Sequence, residues 1–286
     1  MPFLPTRAPC QSIFWMKGTM MGKTRIVITG STRGLGLRLA REFLSRGCAV
    51  VVSGRTKDAV ESAVARLSAE FPGADVRGFP CDAGIFSQVE ALWAAAAQAL
   101  GGVDHWINNA GIGQATVPIW DLPPEDMESI VRTDLLGVLY GARVAMRGMT
   151  KQGSGAIWFM EGHGSDGRIM KGLSVYSAAK RALRYVAHAL AVEARGTGIR
   201  IGTLSPGIMV TDFTMKRIDR SDSESWERTK KVYNILADKP ETVAAFLAPR
   251  ILAARKSGTH IAWLTSGKIM FRFMTAGIAK RKVIED

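Results

Sequence analysis

The sequence predicts an α/β fold in which a single domain is built on a doubly wound parallel sheet with helices on both faces. From residue 25 onward, short runs rich in Val and Ile alternate with longer stretches of helical spacing, the order expected of a parallel sheet. The 286 residues, 47% of them hydrophobic, are enough for one large core, and no segment resembles a linker.

Seven runs are predicted strands because each is short, rich in apolar or β-branched residues, and bounded by turn residues. In sequence order they occupy 25–30, 48–55, 75–82, 103–111, 155–160, 199–207 and 260–265. The first, second, fourth, fifth and sixth lack the polar alternation of a half-exposed strand. This continuity is typical of parallel strands covered on both faces.

Six stretches between these strands carry helical spacing, rich in Ala, Leu and Arg. They are predicted at 35–46, 56–71, 87–100, 124–150, 175–194 and 240–256. The exception is 211–239, which is charged and weakly periodic. Within a domain assigned to 24–266, we expect 211–239 to form an irregular substrate lid at the carboxyl edge of the sheet. The alternative is a surface excursion without a role.

The N-terminal extension, residues 1–23, contains three cations and no acid, and it lacks the continuous apolar segment of a secretory signal,. It is interpreted as a disordered extension, a transit peptide, or an over-long start. The chain is therefore expected in the cytoplasm, or in a plastid if the extension is a transit peptide. No apolar run approaches the roughly 18 residues that a membrane-spanning helix needs.

Positive charge is concentrated near the C-terminus of a chain whose formal net charge is +13. No acid lies between Glu241 and Glu285. The stretch between them holds eight cations: Arg250, Arg255, Lys256, Lys268, Arg272, Lys280, Arg281 and Lys282. The tail at 267–286 mixes such cations with apolar residues, which fits either peripheral contact with an anionic membrane or packing on the domain. No motif for reading nucleic acid accompanies the charge.

Neither a disulfide framework nor a protein-bound metal is predicted. The cysteines are few and scattered, and the histidines show no ligand spacing. These residues are Cys10, Cys48 and Cys81, and His105, His163, His188 and His260.

The segment "TGSTRGLG" follows the first strand and opens the first helix. Gly30 allows a tight turn, Gly34 and Gly36 allow close approach of a phosphate, and the helix N-terminus offers N–H donors and a favourable dipole. This context predicts a Rossmann-type dinucleotide site. The cofactor-binding candidates in the turn are Gly30, Ser31, Thr32, Arg33, Gly34, Leu35 and Gly36.

The end of the second strand indicates which dinucleotide is bound. An acid there would bind the ribose 2′-OH of NAD, but this chain has Gly54 followed by Arg55,. Arg55 and Arg33 can both grip a 2′-phosphate because a guanidinium pairs with phosphate bidentately. NADPH is therefore the predicted cofactor.

Tyr176 and Lys180 are four residues apart, so on a helix their side chains share one face,. A neighbouring ammonium stabilises phenolate and lowers the pKa of tyrosine from its usual value of about 10. Tyr176 is therefore a candidate general acid that protonates a carbonyl oxygen as hydride reaches the carbon.

The motifs "TGSTRGLG", "NNAG", "YSAAK" and "SPG", in this order and at about these separations, resemble those of the short-chain dehydrogenase/reductase family. The resemblance implies an NADPH-dependent enzyme acting on C=O or CH–OH, and self-association through the helices that hold Asp134 and Tyr176. It places Asp82 beside the adenine and a larger set along the cofactor: Asn109, Ala110, Gly111, Pro206, Gly207 and Thr211, with Tyr176 and Lys180.

The chain departs from this family pattern at two positions. A catalytic serine commonly lies thirteen residues before the tyrosine, but His163 occupies that position and the nearest serine, Ser165, lies eleven before. We predict that flanking glycines let Ser165 reach the substrate carbonyl. Asp134 stands where the family has an asparagine whose main-chain carbonyl holds a water linked to the lysine. Its carboxylate could disturb this proton relay, so Asp134 is a further candidate site.

Other segments are similar to the chlorophyll b reductases: "WINNAG", "FMEGHGSDG", "ILADKPETVAAFLAPRI" and "IAWLTSGKIM". This resemblance implies reduction of the C7 formyl group of chlorophyll b or chlorophyllide b to hydroxymethyl. Two alternatives remain open: a general short-chain reductase of acyl, steroid or other bulky carbonyls, and a non-enzymatic NADPH-binding redox sensor.

Overall fold

The computed structural model describes residues 22–211, 214, 223–278 and 281–284. Within them, seven strands form one sheet in the order β3-β2-β1-β4-β5-β6-β7, and every neighbouring pair is parallel. The strands are β1 Arg25–Ile28, β2 Ala49–Gly54, β3 Val76–Pro80, β4 His105–Asn108, β5 Gly155–Met160, β6 Ile199–Ser205 and β7 Thr259–Ala262. The predicted doubly wound parallel sheet is confirmed.

The helices of the described residues are α1 Gly34–Leu44, α2 Lys57–Glu70, α3 Phe86–Leu100, α4 Pro124–Ile130, α5 Gly137–Gln152, α6 Ser174–Glu193, α7 Ser223–Leu236, α8 Pro240–Ala253 and α9 Ser266–Thr275. A short 3-10 turn, Ile119–Asp121, precedes α4. A π-helical turn, Val131–Leu136, joins α4 to α5 without a break. The sequence predicted this helical stretch but gave no sign of the π turn.

The sheet has a separate apolar core on each face because alternate residues of each central strand point to opposite sides. On β1, Ile26 and Ile28 pack against α1, α2 and α8, while Val27 packs with residues of α3, α5 and α6. These residues have no exposed surface. Burying a side chain of this size contributes about 1.5–3 kcal/mol, so the uninterrupted apolar runs stabilise both layers.

The order in which the strands are added to the sheet reverses between β1 and β4. From β1 it winds outward through β2 and β3, then crosses back to β4 and continues to β7. In such sheets the crevice at the carboxyl ends of the two central strands is where ligands bind. The glycine turn after β1 and the "NNAG" loop after β4 meet there.

The prediction that 211–239 is irregular is wrong for α7. Trp226, Thr229 and Tyr233 are partly buried and Leu236 is buried, which makes a narrow stripe at helical spacing. Most other positions are charged or polar, so the stripe gave a weak periodic signal. Of the segment assigned to the lid, 212–213 and 215–222 lie outside the described residues, as do 1–21 of the N-terminal extension.

Cys48 and Cys81 are buried free thiols, and Cys10 lies outside the described residues. Burial raises the pKa of Cys48, and it raises the pKa of Cys81 to about 12,. Both side chains are therefore neutral apolar groups at physiological pH.

The basic tail is tied to the domain through one buried carboxylate, Asp238. Arg272 donates to both carboxylate oxygens, at 2.8 and 3.1 Å, while Arg281 donates at 2.7 Å and Trp263 Nε1 at 2.6 Å. Burial acts to raise the pKa of Asp238, but hydrogen bonds from Arg272 and Trp263 and the charges of both arginines lower it,. We call these four side chains the Asp238 cluster. Two cations considered for membrane contact thus pair inside the protein.

The two arginines of the cluster also cover the end of α7. Arg272 donates to the main-chain oxygen of Leu236 at 2.8 Å, and Arg281 donates to that of Ile235 at 2.6 Å. Cations at a helix C-terminus satisfy its last carbonyls and favour its dipole. The tail therefore packs against the segment that the sequence assigned to the lid.

Replacing Asp238 by Asn leaves two largely buried guanidinium groups without a counter-charge. We expect the free energy of unfolding at pH 7 to fall by about 3 kcal/mol, the low end for such a loss because Arg281 is 30% exposed,. The lowered pKa stabilises the fold above the usual aspartate value of about 3.9, and this stabilisation is lost as the pH falls through the folded-state value. The two proteins, with Asp238 and with Asn at this position, should therefore differ less in their free energy of unfolding at pH 3 than at pH 7. Urea unfolding at both pH values measures this difference.

Asp75→Asn is the matched control because it removes a carboxylate paired with Arg77 on the surface. Exposed pairs contribute less than about 1 kcal/mol. If Asp238→Asn and Asp75→Asn lower the free energy of unfolding equally, the Asp238 cluster has no special role in stability.

Candidate active site

The glycine turn between β1 and α1 is packed too tightly for side chains at two positions. Gly30 has φ +62°, and a Cβ there would lie 2.8 Å from Ala110 Cα; a Cβ on Gly36 would lie 2.6 Å from the oxygen of Gly30. No acid lies in the first turn of α1, and Arg33, its N-cap, makes no capping hydrogen bond with its side chain. The helix N-terminus is thus suited to an anion such as a pyrophosphate.

Thr29 and Asn109 bind the glycine turn to the loop after β4. Thr29 Oγ1 accepts hydrogen bonds from the main-chain N–H of Asn109 and Ala110, each at 3.0 Å. Asn109 Nδ2 donates to the oxygens of Thr29 and Gly30 at 2.9 and 3.0 Å. We call these contacts the Thr29–Asn109 clasp. Asn109, predicted to lie along the cofactor, thus supports the glycine turn through its side chain.

Ser31 and Thr32 hold the turn against β2. Ser31 Oγ donates to the oxygen of Ile28 at 2.7 Å and accepts from the N–H of Ser53 at 2.9 Å. A Cβ on Gly54 would lie 2.6 Å from Thr32 Cγ2. Leu35 is buried beneath the start of α1. These side chains support the turn, and its backbone is left to face a ligand.

The carboxyl ends of β2 and β3 carry the residues predicted for the adenosine end of the cofactor. Arg55 follows Gly54 and is exposed, as is Arg33; neither forms an ion pair within the described residues. Asp82 follows β3, and its Oδ1 accepts from the N–H of Gly84 at 2.9 Å. A cationic site thus lies where an NAD-specific fold would have an acid.

Tyr176 and Lys180 lie one turn apart on α6 and are both buried, with Lys180 Nζ 5.6 Å from the centre of the tyrosine ring. The tyrosine hydroxyl lies against Gly162, where a Cβ would come within 2.2 Å of it. Gly111, next in the "NNAG" loop, is near Lys180: a Cβ there would be 3.5 Å from Nζ. The Tyr176–Lys180 pair and the glycine turn therefore border the same crevice.

Lys180 pairs with Asp134, which lies in the π turn. The distance from Nζ to Oδ2 is 3.2 Å, and both side chains are almost completely buried. Asp134 Oδ1 accepts from the N–H of Ile112 at 2.6 Å. Burial lowers the pKa of Lys180, but the charges of Asp134 and Tyr176 outweigh it and the pKa is raised,. The sequence predicted that this added carboxylate could disturb the proton relay, and the structure pairs it directly with the lysine.

Ser165 is buried in the loop after β5, near Lys180 but hydrogen-bonded to main chain. Its Oγ donates to the oxygen of Lys180 at 3.1 Å and accepts from the N–H of Gly162 at 3.1 Å. His163, thirteen residues before Tyr176, has Nδ1 3.3 Å from Ser177 Oγ. Burial lowers the pKa of His163, so its ring is neutral at pH 7.

The loop after β6 forms the remaining wall of the predicted site. Gly207 has φ +74°, and a Cβ there would lie 2.6 Å from Leu264 Cβ. The next residues pair with the main chain of Asp238: the N–H of Asp238 donates to Ile208 O at 3.0 Å, and Val210 N–H donates to Asp238 O at 3.1 Å. Pro206 precedes this pairing. Thr211 N–H donates to Thr214 Oγ1 at 3.1 Å, which closes the turn.

Gln114 fixes the start of α6, and sequence reasoning missed it. Its Oε1 accepts from the N–H of Tyr176 at 2.9 Å, and its Nε2 donates to Gly172 O at 2.9 Å. The side chain is buried. A lone glutamine in a glycine-containing loop carries no periodicity or motif, so only its three-dimensional contacts identify it.

An anion-binding glycine turn at the switch point and a buried tyrosine–lysine pair beside it define a dinucleotide-dependent oxidoreductase. The family model described as short chain dehydrogenase matches residues 24–222. This protein belongs to the short-chain dehydrogenase family. The predicted enzyme class is confirmed.

Two plant proteins illustrate the similarity to one branch. "Probable chlorophyll(ide) b reductase NYC1, chloroplastic" of Arabidopsis thaliana is 34% identical over 281 residues, covering 93% of this chain and 55% of that protein. "Chlorophyll(ide) b reductase NOL, chloroplastic" of the same plant is 35% identical over 273 residues, covering 91% and 76%. The predicted resemblance to this branch is confirmed. The chain spans only about half the length of the first relative.

Solved structures confirm the fold. Levodione reductase superposes with a TM-score of 0.75 at 26% identity, covering 86% of this chain and 98% of that one. A variant actinorhodin polyketide ketoreductase crystallised with NADPH gives a TM-score of 0.72 at 25% identity, covering 84% and 95%.

Gly162→Ala should remove activity without unfolding the protein, because the new methyl group would meet the Tyr176 hydroxyl. Displacing a catalytic group by about 1 Å can cost about 100-fold in rate, and we expect kcat with a reactive aldehyde to fall by at least that factor. Steady-state kinetics, cofactor binding by fluorescence and a thermal melt would separate these effects.

Gly267→Ala is the control, since a Cβ at Gly267 meets nothing within 4 Å. If Gly162→Ala and Gly267→Ala keep the same activity, the position assigned to the Tyr176 hydroxyl is wrong.

Proposed function

We propose that this protein is an NADPH-dependent carbonyl reductase that converts the C7 formyl group of chlorophyll b or chlorophyllide b to hydroxymethyl. The observation that carries the proposal is the buried Tyr176–Lys180 pair beside the glycine turn, in a chain similar over most of its length to chlorophyll(ide) b reductases.

NADPH, when bound, supplies the hydride that reaches the carbonyl carbon. Tyr176 donates its hydroxyl proton to the carbonyl oxygen, so the aldehyde gains one hydride and one proton and becomes an alcohol. Lys180 orients the cofactor and stabilises the phenolate that remains, which then regains a proton from solvent. Gly30, Gly36 and the N-terminus of α1 leave room and N–H donors for the pyrophosphate,.

Ser165 is the proposed hydrogen-bond partner of the substrate carbonyl. Its proton now goes to Lys180 O, so the hydroxyl would have to turn away from the α6 main chain to reach a substrate. Asp82, Pro206, Gly207 and Thr211 complete the proposed cofactor site at its two ends.

The preference for NADPH rests on Arg33 and Arg55. Both are exposed at the edge where the ribose of a bound dinucleotide would lie, and Gly54 takes the place of an acid that would repel a 2′-phosphate,. The ketoreductase crystallised with NADPH has the same fold.

We further propose peripheral contact with a pigment-bearing membrane through α9. Met270, Phe271, Met274 and Ile278 are at least 64% exposed, and Lys282 is also exposed. Such a surface can enter the headgroup region of an anionic bilayer. Among the described residues, no helix combines the length and apolarity needed to cross a membrane. The proposed location is the cytoplasm, at a membrane surface, or the plastid of a host that has one.

Self-association is proposed through the outer side of α6 and the π turn. An apolar groove of about 320 Å³ lies there, lined by Ile119, Val131, Leu135, Val175 and Ala178 among others. Partly exposed Val131 and Leu136 extend the surface. A second copy of the chain is the proposed occupant.

A general reductase of bulky carbonyls is the alternative, favoured by the structural similarity to levodione reductase. A non-enzymatic NADPH sensor is a weaker proposal because Tyr176 and Lys180 are both present and adjoin.

Incubation of the protein with NADPH and chlorophyllide b should give the 7-hydroxymethyl pigment, identified by chromatography and absorbance. Tyr176→Phe is the matched control: it should keep cofactor binding and lose about 10²- to 10⁴-fold in rate, the usual contribution of a positioned acid. Oxidation of NADPH by simple aldehydes but not by the pigment would favour the general reductase. No turnover with any carbonyl would contradict both.

Arg55→Ala should weaken NADPH binding by about 10- to 100-fold, because a hydrogen bond to a charged group contributes about 1.5–3 kcal/mol. NADH has no 2′-phosphate, so its dissociation constant should be unchanged. Arg46→Ala, which removes a surface arginine paired with Glu42, is the control. Equal effects on the two cofactors, measured by titration calorimetry, would refute the assignment.

A further inference from the structure

Asp134 places a full negative charge against the catalytic lysine. Its side chain has no exposed surface, and Oδ2 lies 3.2 Å from Lys180 Nζ. Oδ1 is held by the N–H of Ile112 at 2.6 Å. Because the carboxylate is fixed by the π turn and by the loop after β4, the ion pair is part of the built site and not a mobile surface contact.

The groups around Lys180 make Asp134 its main counter-charge. Tyr176 faces it from α6, Gly111 from the loop after β4, and Gly162 from the loop after β5. The other buried carboxylate of this region, Glu161, has a different set of partners. It lies 3.9 Å from Arg184 and 3.6 Å from His260. His163 contacts Ser177, the residue that follows Tyr176 on α6.

The charge of Lys180 and that of Asp134 act in opposite directions on Tyr176. An ammonium alone stabilises phenolate, so it favours loss of the hydroxyl proton at lower pH. A carboxylate bonded to that ammonium makes the pair neutral and reduces its net effect at the phenol oxygen. As long as Lys180 stays protonated, an asparagine at 134 would leave its ammonium uncompensated. The chain's own carboxylate therefore keeps more of Tyr176 in the phenol form.

We propose that Asp134 is a positioning residue that acts through Lys180 to keep Tyr176 protonated, which suits the protein to carbonyl reduction over alcohol oxidation at neutral pH. The proposal rests on the proposed reductase function. Reduction needs the phenol as proton donor, whereas oxidation needs the phenolate as proton acceptor. The overall equilibrium is unchanged, because only the fraction of enzyme in each form differs at a given pH.

The test compares pH–rate profiles of wild type and Asp134→Asn in both directions, with NADPH and an aldehyde and with NADP and the matching alcohol. An opposite charge within about 4–6 Å shifts the titration of a group by about one to three pH units. Lys180 Nζ lies 5.6 Å from the centre of the Tyr176 ring. We expect the alkaline limb of reduction and the acid limb of oxidation to move to lower pH by at least one unit. Oxidation at pH 7 should rise about tenfold relative to reduction.

Glu161→Gln is the matched control because it removes a buried carboxylate that faces Arg184, one turn beyond Lys180 on α6. Its profiles should coincide with those of wild type. The proposal is overturned if the pH–rate profiles of Asp134→Asn coincide with those of wild type. It is also overturned if Glu161→Gln shifts the profiles as much as Asp134→Asn does. NADPH titration and a thermal melt of each variant show whether it is folded.

A second measurement does not need turnover. The difference in ultraviolet absorbance between wild type and Tyr176→Phe reports the ionisation of the Tyr176 phenol as the pH rises. We expect Tyr176 to ionise at lower pH in Asp134→Asn than in the protein with Asp134. Ionisation of Tyr176 at the same pH in both proteins overturns the proposal. Absence of any carbonyl turnover with the expected titration would instead refute the proposed function alone.

Discussion

The site depends on the hydrogen bonds that join the first strand's turn to the loop after β4. The Thr29–Asn109 clasp holds these two segments so closely that Gly30 contacts Ala110. The next residue, Gly111, adjoins Lys180. The glycine turn and Lys180 lie far apart in sequence, yet a few hydrogen bonds between side chains and main chain hold them at a fixed separation. The proposed hydride transfer needs this precision.

Along α6, charged and polar side chains repeat at every fourth position, and each meets a different partner. Tyr176 lies against Gly162, Lys180 pairs with Asp134, and Arg184 approaches Glu161. The helix therefore organises a row of interactions that runs from the reacting centre into the domain. Its start is set by Gln114 and its first turns by the loop that contains Ser165.

The sequence predicted the sheet and the cofactor turn because both depend on local patterns. Buried parallel strands need unbroken apolar runs, and a tight turn needs glycine at fixed offsets. It could not place the hydroxyl of Ser165, since the direction of that proton depends on the carbonyl of Lys180, fifteen residues away. The helix α7 and the Asp238 cluster also depend on contacts that are distant in sequence. Without those contacts, their charged residues were predicted to be exposed to solvent.

The Asp238 cluster gives the fold an order of assembly. The main chain of Asp238 pairs with that of Ile208 and Val210, just after Pro206 and Gly207. Arg272 and Arg281, however, follow every strand of the described sheet in the sequence. During synthesis on the ribosome, β1 to β6 precede these arginines by more than sixty residues, so most of the sheet can form before this wall of the crevice is secured. The nascent protein would acquire its layered core first and a finished binding surface only when the arginines emerge.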